Sequence, residues 1–175
     1  MKELNRNKAV NGNQFQNRLF KNYVSTYNGA AYFKNNHSYY IPEIGKKISD
    51  VEMELLSHPK IRIIFEATTS LRDDRYWAKE VQAKLIKDAL KAEKKRCIYV
   101  LVLPDDTYYK ADSKEPANNR HFENLVNNRI SKKNGVGAID LFIRESDMMK
   151  LITSIDDDHY QMPNRIIQNY KCKNM

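Results

Sequence analysis

The chain has 175 residues, 41% of them hydrophobic, and carries 30 Lys and Arg against 22 Asp and Glu, a formal net charge of +8. That length suits one domain with a sizeable core, and the basic excess favours a polyanionic partner. With 5 glycines, no GxGxxG or GxxxxGKS/T pattern, and Cys97 and Cys172 far apart without metal-ligand spacing, the composition speaks against a glycine-rich phosphate loop and a disulfide framework. The polar start MKELNRNKAVNGNQ has no signal-peptide core, no apolar run reaches membrane length, and the final CKNM lacks the aliphatic pair of a prenylation site. The expectation is a cytoplasmic protein.

Taken in order, Phe15, Leu19, Phe20, Tyr23, Val24 and Tyr27 recur at helical spacing and predict an amphipathic helix ending at Asn28-Gly29. Ala31 to Ile41 reads as a short hairpin, AYFK and SYYI around Asn35-Asn36-His37, with His37 in its loop; Tyr32, Phe33, Tyr39 and Tyr40 then supply core or a dimer surface. ISDVEMEL and IRIIFEATT follow as two strands around the turn Ser57-His58-Pro59-Lys60. A long helix starts near Asp73, with Ala78, Val81, Leu85 and Ala89 as its sheet-facing stripe, Gln82 and Ile86 beside it, and Trp77 as a packing anchor. Cys97 to Leu103 is continuously apolar and ends at Pro104, the pattern of a strand buried on both faces in parallel pairing after a crossover helix, with Cys97 in the core. A basic helix is predicted from Pro116 through Ile130, then a strand over Ala138 to Ile143 and a helix near Ser146 to Ile155. Asp156-Asp157-Asp158 with His159 reads as a solvated helix end, because consecutive residues seldom converge on one ion. The elements sum to an α/β fold, one domain over 1–175 with a mixed central sheet flanked by helices, a core at about 12–155 and a basic tail at 156–175.

Two carboxylates stand out. If ISDVEMEL and IRIIFEATT pair antiparallel, Asp50 near the start of the first lies beside Glu66 near the end of the second. Like charges that close repel unless a cation lies between them, and Glu66 sits among Ile61, Ile63, Ile64, Phe65 and Ala67, where an unpaired charge costs several kcal/mol. A divalent metal is the economical compensation. Period-2 alternation puts Thr68 on the face of Glu66, about 6.6 Å further along.

Asp50, fifteen intervening residues, then Glu66-Ala67-Thr68 and a helix, resembles the PD-(D/E)XK nuclease superfamily, and within it the type II restriction endonucleases. Ser49-Asp50 stands for Pro-Asp, and Thr68 stands where the family usually has Lys. The resemblance implies a restriction-endonuclease-like core, Mg2+ held by Asp50, Glu66 and the Ala67 carbonyl, and hydrolysis of double-stranded DNA. It implies Thr68 at the attacking water, and Lys79, or Gln82, from the following helix in place of the missing lysine. Gly12, Phe15 and Gln16 match the start of the family's first helix with Gln in place of Glu, so Gln16 could orient a metal-bound water without charge, beside the simpler reading that this helix only covers one face of the sheet. Family members typically act as homodimers on short palindromes beside a protecting methyltransferase, and small ones include a family cutting GC-N-GC sites. Pro104-Asp105 with Asp112-Ser113-Lys114 spells the motif more literally, but ADSKEP has no apolar pattern to make it a sheet strand.

Arg72 and Arg75 are expected to grip phosphates or pair with Asp73 and Asp74. Arg120, Arg129, Lys132 and Lys133 are the types that contact phosphates and base edges, and equally the types that solvate a surface helix. Two further readings share part of this pattern. A junction-resolving or repair nuclease has the same metal site, and a non-catalytic nucleic-acid-binding protein has the same charge without needing converging carboxylates.

Overall fold

In the computed structural model residues 13–25, 27–29, 31–69, 73–105 and 137–157 are described. Their centre is a pair of parallel strands, β3 (Ile61–Ala67) and β4 (Arg96–Leu103), joined by α2 (Asp73–Ala92). Both strands are apolar nearly throughout because both faces are covered by helices. Strand β2 (Gly45–Leu55) pairs antiparallel with β3, β1 (Ala31–Ile41) antiparallel with β2, and β5 (Leu141–Arg144) parallel with β4. The result is a five-stranded mixed sheet in the order β1-β2-β3-β4-β5, the α/β layer that the sequence predicts.

Alternation along the strands sorts side chains into two cores. Val51, Met53, Ile63, Phe65 and Val100 meet Phe15 and Leu19 of α1 (residues 13–19), Val24 of the π-helical turn Phe20–Val24, and Leu151, Ile152 and Ile155 of α3 (Met148–Asp157). On the other face Ile64, Tyr99, Leu101 and Leu103 meet Ala83, Ile86 and Leu90 of α2. Among the described residues no helix is long and apolar enough to cross a membrane.

Several local expectations are corrected. Residues 31–41 form one strand instead of a hairpin: Asn36 takes a left-handed conformation (φ 52°) inside the ladder, and the chain reverses at residues 42–44, with Glu43 at φ 65° and Gly45 at φ 93°. Asn tolerates that conformation better than most residues, so Asn-Asn-His bends a strand here instead of ending it. His37 accordingly lies in β1, edge-on to the Tyr39 ring and 3.7 Å from Glu52.

The buried stripe of α2 is also rotated from the predicted one. Tyr76, Glu80, Ala83, Ile86 and Leu90 face the sheet, while Ala78 and Val81 are exposed. Glu80 can be buried because both its oxygens are bonded, one by the Tyr76 hydroxyl (2.8 Å) and one by the Ala138 N–H (2.7 Å). Trp77, one residue off this stripe, is 41% exposed and belongs to neither core among the described residues, so it is not the packing anchor that the sequence suggests. Cys97 is half-buried at the edge of its core.

Candidate active site

Strands β2 and β3 part company just beyond the Val51↔Phe65 pair, and the same register carries Asp50 opposite Glu66. The β1–β2 ladder skips the Asn36 and Asp50 position, where Asn36 is left-handed, so the Asp50 N–H is not tied to β1. Each carboxylate takes up a backbone donor from the other strand. The Asp50 N–H donates to Glu66 Oε2 (3.3 Å), and the Ala67 N–H donates to Asp50 Oδ2 (2.8 Å). Two acidic side chains are thereby clasped on one face at the point where the sheet opens, as the period-2 argument requires.

The first turns of α2 lie over this point. Lys79 forms an ion pair with Glu66 Oε1, and Gln82, three residues on and so on the same helix face, donates from Nε2 to the same oxygen (3.2 Å) and to the Ile48 carbonyl (3.0 Å). Glu66 is almost fully buried, at 1% exposure. Burial above all, and then the Glu66 charge, raises the pKa of Asp50 from 3.8 to about 7, against the opposing pull of Lys79 and the Ala67 N–H. Among the described residues one ammonium, that of Lys79, stands against the two carboxylates. Thr68 is buried directly after Glu66 and Ala67, its N–H bonded to the Val102 carbonyl (2.9 Å).

Other predicted residues fall elsewhere. Arg75 donates to Thr69 Oγ1 (3.3 Å) at the start of α2. The Gln16 amide donates to Asn36 Oδ1 (2.7 Å), on the strand next to Asp50, and is not among the hydrogen-bond partners of either carboxylate. Asp105 of the rival motif accepts from the Ser146 N–H (3.1 Å) and hydroxyl (2.8 Å), capping the turn Glu145–Asp147 that leads into α3. Arg72, Arg120, Arg129, Lys132, Lys133, Asp112 and Lys114 lie outside the described residues, as do the helix expected from Pro116 and the tail from 158.

Sequence reasoning overlooked Tyr99. It reads as one more apolar residue of CIYVLVL, and only the parallel register, which sets it beside Ile64 two positions before Glu66, turns it toward the carboxylates. Its hydroxyl is buried without a hydrogen-bond partner among the described residues.

The donor set fits a hard divalent cation. Mg2+ takes oxygen ligands and needs only one or two carboxylates, the rest coming from water and substrate; the two clasped carboxylates, faced by the one Lys79 ammonium among the described residues, meet that requirement. Among the described residues no group of three or more Asp, Glu, His or Cys side chains gathers as a larger cation cage.

No protein-family model matches the chain, and no curated protein matches it. Among solved structures the chain is similar to the small subunit of the heterodimeric restriction endonuclease R.BspD6I, at 10% identity and a TM-score of 0.46 over 93% of this chain and 79% of that one.

Proposed function

We propose that this chain is a Mg2+-dependent endonuclease acting on double-stranded DNA, of the site-specific type II restriction kind. The observation that carries the proposal is the Asp50 and Glu66 pair, clasped where β2 and β3 separate, with Lys79 and Gln82 brought to Glu66 from the next helix. Two carboxylates on neighbouring strands followed by a helix are what the PD-(D/E)XK motif requires, and the helix supplies the cation that Thr68 cannot.

Asp50 and Glu66 are the residues to hold the ion, with the Ala67 carbonyl as a third oxygen beside them. A bound divalent cation lowers the pKa of water and offsets the charge that grows on a phosphate in hydrolysis. Lys79 pairs with Glu66; with that carboxylate engaged by an ion, its ammonium would be available to a phosphate oxygen. Thr68, next on the Glu66 face, offers a hydroxyl to orient the attacking water. Arg72, Arg75, Arg120, Arg129, Lys132 and Lys133 are proposed phosphate contacts, in keeping with the net charge of +8. A homodimer reading a short palindrome such as GC-N-GC, with a methyltransferase protecting the host sites, completes the proposal.

The test incubates the protein with plasmid and phage DNA, with Mg2+ or with chelator. Discrete bands that require Mg2+, and are lost in both Asp50→Ala and Glu66→Ala, are expected. Cutting of four-way junctions without cutting of linear duplex transfers the protein to the junction-resolving nucleases. Binding with no cleavage of any substrate removes the catalytic reading.

A further inference from the structure

Tyr99 lies in the middle of β4 with no exposed surface, and its hydroxyl is the buried side-chain polar atom that has no hydrogen-bond partner among the described residues. Desolvating a phenol without a partner is costly, and a leucine or phenylalanine would fill the position without that cost. The strand that carries the ring is fixed in place. Its backbone is held on both sides by Asp140, whose Oδ2 accepts the Tyr99 N–H (2.7 Å) and whose own N–H donates to the Tyr99 carbonyl (2.9 Å).

The surroundings say where the hydroxyl points. Tyr99 pairs with Ile64 on the face that two residues later carries Glu66. Burial first, then the charges of Glu66 and Asp50 and the closeness of the hydroxyl to the Glu66 carboxylate, hold its pKa well above the ordinary phenol value, while the contact falls short of a well-formed hydrogen bond. The acceptor it faces is already crowded: Lys79 and Gln82 share Glu66 Oε1, and the Asp50 N–H takes Oε2. The phenol is a donor in reserve beside a carboxylate whose partners must change when a cation arrives.

We propose that Tyr99 is a positioning residue for the carboxylate pair: with a divalent cation on Asp50 and Glu66, its hydroxyl donates to the Glu66 carboxylate, directly or through one bound water. The inference rests on the reading of that pair as a metal site. Ligating carboxylates are commonly oriented by outer hydrogen bonds, and losing such a partner typically lowers metal affinity about 10–100-fold. Tyr99 would complete the set that Lys79 leaves open when it exchanges Glu66 for a phosphate.

The experiment measures Mn2+ binding by titration calorimetry, and thermal unfolding in chelator, for the full chain and for Tyr99→Phe, which keeps the ring. The expected result is a Kd for Mn2+ raised by about tenfold or more, with metal-free stability unchanged or slightly higher because an unpartnered hydroxyl has been removed. Equal Mn2+ affinity in the two proteins overturns the proposal. So does a clear loss of metal-free stability, which would mean that the hydroxyl is bonded within the fold itself. If the parent chain shows no Mn2+ binding that Asp50→Ala abolishes, the metal reading fails and this inference with it. Binding that depends on Asp50 but not on Tyr99 leaves the metal reading standing and sinks this inference alone.

Discussion

Replacing Asp50 with Asn asks whether the carboxylate pair stores repulsion that a cation relieves. Burial and the Glu66 charge move the Asp50 pKa from 3.8 to about 7. A tenfold change in proton affinity is about 1.4 kcal/mol, so ionised Asp50 destabilises the fold by at most about 4 kcal/mol. Asp50 keeps some contact with water, which screens roughly half of that and leaves about 2 kcal/mol. The sign follows from the raised pKa. Below about pH 4 the carboxyl is protonated whether the chain is folded or not, and its charge costs nothing. As the pH climbs toward about 7 the unfolded chain releases this proton while the folded one retains it, so the wild type loses stability through that window and carries the full cost above it. Asn is neutral and can still accept the Ala67 N–H. Asp50→Asn should therefore match the wild type near pH 4 and unfold roughly 4–8 °C higher at about pH 8.5 in chelator, since 1 kcal/mol shifts the Tm of a chain this size by about 2–4 °C. Millimolar Mg2+ should narrow the gap by stabilising the wild type alone, and the variant should cut no DNA. An Asn variant no more stable at high pH, or equally favoured at both pH values, would refute the reasoning.

Three further outcomes test the neighbourhood. Lys79→Met should lower the rate of DNA cleavage by about 100–1,000-fold, the usual loss for one preorganised charge-stabilising group. Its Mn2+ affinity should be unchanged or higher, because the ammonium no longer competes for Glu66; a parallel loss of Mn2+ binding would make Lys79 a structural partner only. Glu80→Ala leaves the Tyr76 hydroxyl and the Ala138 N–H buried and unbonded and should cost about 2–4 kcal/mol in urea unfolding. A loss below about 1 kcal/mol would mean that the loop before β5 does not depend on this side chain. Asp105→Ala removes the cap on Ser146 and should cost about 1 kcal/mol with cleavage retained. Abolished cleavage in a folded Asp105→Ala protein would move the active site to the rival motif.

The carboxylate pair was legible because its placement depends on local rules. Strand, turn and strand within one short stretch leave little freedom of register, and period 2 then fixes which side chains share a face, so Asp50 and Glu66 meet. The buried parallel strand Arg96–Leu103 was equally plain from its unbroken apolar run, as was the crossover helix before it. Where local composition was the only guide, it misled. Asn35-Asn36-His37 looks like a turn, yet the cross-strand pairing with β2 continues through it. Hydrophobicity alone put Val81 and Ala78 on the sheet side of α2, because nothing in the sequence shows that Glu80 finds two donors, one of them 58 residues away.

What the sequence determined by itself is the order and type of the elements from β2 to β4 and the presence of two acids on adjoining strands, since these follow from periodicity and short-range pairing. The tertiary structure decided which cations and donors reach those acids. The resemblance offered Lys79 or Gln82, and the packing angle of the helix brings both to Glu66; Tyr99 comes through the register of a parallel strand whose partner lies across that helix. Such contacts between segments distant along the chain are set by how the two cores fill, and no local pattern of residues encodes them.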